Sequence, residues 1–365
     1  MLTVFNVGQG DAMLLKPDSG CVFGGDNAPL LIDAGRRGAK VHERITDPTV
    51  DVLVTHAHGD HVGGVPALIK RKKVGLLLMP YYMPEVVSIC GFLHRHATTK
   101  IARLNWDAIR GAGLRLVGEG DRLVGSGGEI CRHSVVLNPP KSPRSHFEGY
   151  MPSDVPETVE EVDRALRSLS RYDMRVEHEA IVNYETPISV ESVSEEAPEY
   201  ASDARAFVHR FFLSLSHRMD GAPPGSLPYY LDAHLALAAH TACVVFKYTD
   251  KGGERWLFTG DADKSVFDRL IEQGSDVSAK HLKVPHHGSR SNLTPQALGA
   301  VDPEVAIISH DNGRFGDSKD THPHAEVIEM LDKRRVRTHY TNDVRKGKRT
   351  IKRRSSGTHG PITFE

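Results

Sequence analysis

The stretch His56-Ala57-His58-Gly59-Asp60-His61 constrains this chain more than any other. It puts three imidazoles and one carboxylate within six residues, directly after the strand-like run Asp51-Val52-Leu53-Val54-Thr55. Spacing at i and i+2 lets His56 and His58 leave a strand end on the same side. Asp60 and His61 then begin a turn, and Gly63-Gly64 are expected to let the chain bend sharply. Such a cluster can serve two neighbouring metals, one through His56 and His58 and a second through Asp60 and His61. Imidazole with carboxylate suits zinc, and also manganese or iron. A solvated polar turn would account for a stray histidine, but not for four potential ligands packed behind a buried strand.

The cluster resembles the HxHxDH signature of the metallo-β-lactamase-fold hydrolases, and other segments carry the same resemblance in order. Phe5-Asn6-Val7-Gly8-Gln9-Gly10-Asp11-Ala12 looks like the opening of the ComEC-like branch. Leu31-Ile32-Asp33-Ala34-Gly35 looks like the strand that precedes the metal motif. Phe258-Thr259-Gly260-Asp261-Ala262-Asp263 looks like a later strand end, and Leu282-Lys283-Val284-Pro285-His286-His287-Gly288-Ser289 like the HHGS element of the same branch. Ile307-Ile308-Ser309, Asn312 and His322-Pro323 resemble its closing pattern. The resemblance touches both ends of the chain and leaves the middle unaccounted for. It implies an α/β (α+β) fold, a four-layer αββα sandwich with an inserted acidic segment, and metals at the sheet edge between its halves.

A chain of 365 residues can bury one elaborated core or two. The formal charge of −1 exerts no overall pull towards nucleic acid or membrane. It hides an asymmetry: residues 154–199 are rich in Asp and Glu, whereas 333–354 are rich in Lys and Arg. Cys21, Cys90, Cys131 and Cys243 form no C-x-x-C pair, so a structural zinc knuckle is not expected and a reducing cytosol is the simplest compartment. The N-terminus shows no basic-then-apolar signal pattern, and no apolar run approaches the ~20 residues that span a bilayer. The expectation is a cytoplasmic protein without a membrane partner. Membrane ComEC proteins carry their hydrolase domain beside a channel, so DNA uptake does not transfer to this chain.

Strand-like runs at Leu2–Val7, Met13–Leu15, Leu30–Ile32, Val50–Thr55, Val74–Met79, Leu114–Val117 and Ile130–Leu137, with helices at Val65–Lys70 and Ser88–His96, predict an N-terminal half over 1–138 carrying the HxHxDH motif. Residues 139–234 read as an insertion, polar and rich in proline, with helices at Val159–Arg171 and Ala204–His217. It is either a partly ordered surface loop pair or a lid or docking surface for a protein partner. Residues 235–365 read as the C-terminal half. Cys243–Tyr248 and Trp256–Thr259 pair through the Asp250-Lys251-Gly252-Gly253 turn, helices cover Ser265–Gln273 and His324–Lys333, strands cover Lys280–Val284, Val305–Ser309 and Val336–Tyr340, and a basic hairpin closes the chain.

Two divalent ions are expected, zinc first and manganese second, and a dinuclear site needs an acidic ligand reaching both. Asp261 at a strand end fits that role, with a helix N-cap as its commoner alternative. His286 or His287 would complete the second metal; strand alternation allows only one of them, and His286 is favoured. The third ligand of the first metal is open. His240, in Ala239-His240-Thr241-Ala242-Cys243, is a ligand, a substrate contact or a buried hydrogen-bonded histidine, and His234 is a weaker substitute. Asp33 is expected to orient ligands from outside, and Asp11 to hold the metal loop or simply occupy a turn. Lys283, Ser289, Asn312 and His322 are candidates to contact a substrate anion, and His322 to protonate a leaving group. Asp60 could orient a metal-activated hydroxide besides binding metal.

The motif set points to a nuclease or phosphodiesterase acting on DNA, single-stranded above all. The basic hairpin offers phosphate contacts, or else a charged edge that discourages strand pairing. The alternatives are a phosphodiesterase for a small cyclic nucleotide and a non-enzymatic, metal-stabilised interaction module.

Overall fold

The computed structural model describes residues 1–365 except 17–21, 24–26, 72, 107–108, 110–111, 152–157, 173–177, 189–196, 313–320 and 356–359. Cys21 and parts of the acidic stretch lie outside the described residues. The short apolar runs become strands of two mixed sheets. The first holds β1 (Leu2–Val4), β2 (Met13–Leu15), β3 (Leu30–Ile32), β4 (Val50–Leu53), β5 (Val74–Pro80) and β6 (Leu114–Val117), closed at one edge by the last strand, β15 (Ile362–Phe364). The second holds β7 (Ser134–Asn138), β8 (Val245–Thr249), β9 (Arg255–Phe258), β10 (His281–Lys283), β11 (Val305–Ile308) and β12 (Arg337–Tyr340), in the order β12-β11-β10-β9-β8-β7. A separate hairpin pairs β13 (Val344–Lys346) with β14 (Arg349–Lys352).

Each sheet begins as an antiparallel meander and continues with parallel strands, β3 to β6 in one and β9 to β12 in the other. Strand alternation sorts the side chains into layers. Leu30, Ile32, Phe246, Phe258 and Ile307 point inward and form one cluster between the sheets. Leu31, Val50 and Val52 face outward under one set of helices, while Val245, Leu282, Ala306 and Ile308 face outward under another. The result is four layers, α/β/β/α, as the sequence predicts. The short helices α1 (Val41–Arg44), α2 (Gly59–Val62) and α3 (Val65–Lys70) and the longer α4 (Met83–Phe92) belong to the first half. Pro84 sits in the first turn of α4, where a missing N–H costs nothing, so this helix starts before the expected Ser88.

The middle of the chain is not a pair of surface loops. Among its described residues it folds into α5 (Val159–Ser170), α6 (His178–Val182), α7 (Ala197–Arg218) and α8 (Leu227–Thr241). Thr158 and Glu161 start α5 with a reciprocal capping box. Tyr200, Phe207, Phe211 and Phe212 of α7 are fully buried in the same cluster as the outer face of the first sheet, and Phe207 stacks on Tyr82 at 4.4 Å. α8 runs without a break through residues 234 and 235.

Helices α9 (Lys264–Glu272), α10 (Pro295–Val301) and α11 (Ala325–Lys333) cover the second sheet. Among the described residues no helix is long and apolar enough to cross a membrane. Cys90, Cys131 and Cys243 are buried and form no disulfide among the described residues.

Candidate metal centre

The ends of parallel strands share one edge, and loops leaving that edge carry the predicted ligands. Asp33 follows β3, the histidine motif follows β4, Asp261 follows β9 and His287 follows β10. Asp60 and His61 lie on the single-turn helix α2 rather than in a turn. Gly63 and Gly64 do not bend the chain, because both have right-handed helical backbone angles. Their need is for space: a Cβ on Gly64 would stand 2.2 Å from the Ala34 carbonyl oxygen. Gly10 is required twice over, since its φ is +118° and a Cβ there would lie 2.0 Å from the carbonyl oxygen of Asp60. The first loop of the chain is thereby clamped on the metal loop.

His56, His58, His240 and Asp261 form one ligand cluster. His56 Nε2 lies 3.0 Å from His58 Nδ1, and His240 Nε2 lies 3.3 Å from the same atom. Nitrogens bound ~2.0–2.1 Å from a tetrahedral zinc stand about 3.3 Å apart, so these separations are close to the edges of such a coordination shell. Burial drives His56 and His240 well below the ordinary imidazole range and His58 down to about 4, so the rings are neutral and their lone pairs available. His240 comes from the last turn of helix α8, not from a loop. His234 is no substitute: it is fully buried, its Nδ1 accepts from Arg218 at 3.0 Å, and its ring stacks on Phe147.

Asp60, His61 and His287 form the second cluster. His61 donates from Nδ1 to Asp33 Oδ2 at 2.7 Å, and His287 donates from Nδ1 to the Ser309 carbonyl at 2.9 Å. Each ring therefore turns its Nε2 to the centre, and both Nε2 atoms are buried without a hydrogen-bond partner among the described residues. They stand 3.3 and 3.4 Å from Asp261 Oδ2, while His287 Nε2 stands 3.7 Å from Asp60 Oδ2. Buried, unspent ligand atoms converging in this way fit a divalent cation. Burial works against a charged Asp261, yet His287, His61 and His286 hold its carboxyl well below the usual range. Asp261 Oδ2 also lies 3.8 Å from His56 Nε2, so one carboxylate reaches both clusters. Its competing role as a helix cap is taken by Asp263, which accepts from Ser265 N at 3.0 Å at the start of α9.

The preference between the adjacent histidines is reversed by backbone geometry. Residues 285–288 form a tight turn, with left-handed φ of 47° at His286 and 55° at His287, so strand alternation does not apply. His287 points inward. His286 donates from Nδ1 to Asn292 Oδ1 at 2.9 Å, stays a quarter exposed at its side chain, and places its Nε2 3.8 Å from Asp261.

Several expected substrate contacts lie elsewhere. Lys283 is buried beneath the centre, ion-paired with Asp11 and donating to the Gly260 carbonyl at 3.2 Å, so it cannot meet a substrate. The same pair gives Asp11 its function, neutralising a buried lysine under the metal loop. Asn312 spends its amide on the backbone of Asp343 and Arg345. Ser289 is buried, and its hydroxyl accepts from Ser291 N. His322 does lie near the centre, with its ring 5.3 Å from that of His286. Burial, with His286 and His324 beside it, pushes its pKa down to about 2, which favours a neutral imidazole. Sequence reasoning missed Thr55, which donates from its backbone N and its hydroxyl to the two oxygens of Asp33, both at 2.7 Å. Its only signal is its place immediately before His56.

A family profile described as the metallo-beta-lactamase superfamily matches residues 6–86, which include the histidine motif. Over that stretch the chain is similar to the metallo-beta-lactamase superfamily. It is similar to ComE operon protein 3 of Bacillus subtilis, 31% identical over 91 residues that make up 25% of this chain and 11% of that one. It is also similar to Recombination protein 2 of Haemophilus influenzae, 38% identical over 93 residues, 25% of this chain and 10% of that one. The matched part is thus about a tenth of the length of these relatives. Among solved structures, the metallo-beta-lactamase fold protein YhfI of Bacillus subtilis aligns at 10% identity over 93% of this chain and 96% of that one, with a TM-score of 0.39. BJP-1, a subclass B3 metallo-beta-lactamase of Bradyrhizobium japonicum, aligns at 14% identity over 63% of this chain and 95% of that one, with a TM-score of 0.24.

Proposed function

We propose that this protein is a divalent-metal-dependent phosphodiester hydrolase acting on polynucleotides, single-stranded DNA first, with zinc the first candidate metal and manganese the second. The observation that carries the reading is Asp261, whose one oxygen faces His56 on one side and His61 and His287 on the other. His56, His58 and His240 would hold one ion, Asp60, His61 and His287 the other, and Asp261 both. Two cations held together supply Lewis acidity and make water more acidic near neutral pH. The partial likeness to a relative named for recombination supports DNA as the substrate class.

The chain's own residues divide the remaining work. Asp33 and Ser309 fix the tautomers of His61 and His287, so no reorganisation is needed when a substrate arrives. Asp60 is the ligand with a part-exposed carboxylate, its side chain 21% accessible. Burial opposes its ionisation, but His61 and His287 hold it below its ordinary pKa, so it stays a proton acceptor on the open side. A neutral His322 can offer an N–H group to a substrate oxygen, whereas the N–H of neutral His286 is spent on Asn292 Oδ1.

The test combines metal content with hydrolysis. Wild type should carry two ions per chain and cut both end-labelled single-stranded DNA and bis(p-nitrophenyl) phosphate. His287→Ala should drop to one ion, His286→Ala should keep both, and Asp60→Ala should lose cleavage. A fully metal-loaded wild type that cuts neither substrate would sink the reading.

A further inference from the structure

The hairpin β13–β14 carries positive charge that the fold leaves uncompensated beside the metal centre. It follows directly on β12, whose end lies on the same edge as Asp261 and His287. Its base is fixed. Asn312 accepts from Arg345 N at 2.7 Å and donates to the Asp343 carbonyl at 2.8 Å. Lys346 donates to the carbonyls of Thr321 at 3.0 Å and Pro323 at 3.2 Å. Between those carbonyls sits His322, next to His286, whose ring is 4.7 Å from that of His240 in the first ligand cluster. Hairpin and metal centre thus share the segment 321–323.

The register places Lys346 opposite Arg349. Cross-strand partners share a face of a ribbon, so exposed Arg349 lies on the face that Lys346 turns to the centre. Arg345 and Lys348 are exposed as well. Among the described residues these three form no ion pair, whereas Lys352 and Arg353 are paired with Asp332 and Asp343. Charge that only protects a strand edge needs no direction and no anchor. Here Lys346 supplies the anchor and Arg349 has the direction.

We propose that the hairpin is a backbone-binding arm for a polynucleotide, with Arg345, Lys348 and Arg349 contacting phosphates of the strand that enters the metal centre. This rests on the phosphodiester reading above. An anionic membrane would meet the same charges, but lying on this face it would cover the centre that the strand must reach.

The triple variant Arg345→Ala/Lys348→Ala/Arg349→Ala tests the arm. Binding of fluorescein-labelled oligothymidylate is followed by anisotropy across a salt series, with EDTA present so that binding is read apart from hydrolysis. Each phosphate contact to a single strand contributes a slope of about −0.7 in log K against log salt, so three lost contacts should make the slope shallower by about 2. Turnover of bis(p-nitrophenyl) phosphate by the metal-loaded variant should equal that of wild type, as should its melting temperature. An unchanged slope overturns the arm. So does retained oligothymidylate binding with lost binding to phosphatidylserine vesicles, which would make the hairpin a lipid contact. Failure of the catalytic reading shows separately, as absent turnover in the wild type.

Discussion

At the metal centre the direction of each imidazole is set by whatever holds its other nitrogen. Asp33 accepts from His61 and is itself held by both donors of Thr55, so a residue that touches no substrate decides where His61 aims. Replacing Asp33 with Ala should lower metal affinity by about 10–100-fold, as loss of an outer hydrogen-bond partner does elsewhere. Competition against a fluorescent chelator measures this, and unchanged affinity in a folded variant would refute it. His56, His58, Asp60 and His61 were legible because four potential ligands crowd into one short stretch. His240 was legible only as one of three alternatives, because a lone histidine in an apolar helix carries no local sign of what it faces. His287 was ranked below His286 because the reading assumed a strand where the backbone turns left-handed. Lys283 reads in the sequence as a substrate-anion contact because its partner, Asp11, lies far away along the chain.

Elements were legible where periodicity was strong and hidden where burial was uniform. α8, around Leu235-Ala236-Leu237-Ala238-Ala239, is apolar on nearly every side and so shows no amphipathic stripe, and Pro228 in its first turn reads as a breaker although it is harmless there. α4 and the middle helices meet at Glu85. It is fully buried and accepts hydrogen bonds from Tyr200 at 2.6 Å, Thr186 at 3.3 Å and Tyr184 at 3.4 Å. Burial pushes its pKa up to about 7, against those hydrogen bonds, from an ordinary 4.5. The folded state therefore holds the proton more tightly than the unfolded one. Its contribution to stability is complete below pH 4.5 and is lost as pH rises through 7. The loss approaches about 3 kcal/mol at 1.36 kcal/mol per pH unit. Urea unfolding across that window should show this decline in wild type and lack it in Glu85→Gln. Equal slopes in the two proteins would count against it.

On the scale of the whole molecule, the metal centre takes ligands from loops of both sheets and from α8 in the middle of the chain. Ions bound there would tie distant segments into one unit. At free metal a hundredfold above its Kd, each site adds about 2.7 kcal/mol. EDTA should therefore move a single calorimetric transition to lower temperature. Two transitions shifting separately would show that the halves melt independently. β15 adds a second long-range tie, pairing Leu2 with Phe364 and packing Phe364 5.6 Å from Trp256. Nothing local to Ile362-Thr363-Phe364 shows that its partner strand lies at the other end of the chain.

The sequence by itself determined the layer pattern and pointed to His56, His58, Asp60 and His61 as candidate ligands, because strand alternation and motif density act over a few residues. Tertiary structure alone decided that Asp261 faces both clusters, that His240 and His287 join them, and that Lys283 is buried. These outcomes depend on which distant loops share a sheet edge and on backbone angles set by close packing. Neither quantity is local to any stretch of the chain.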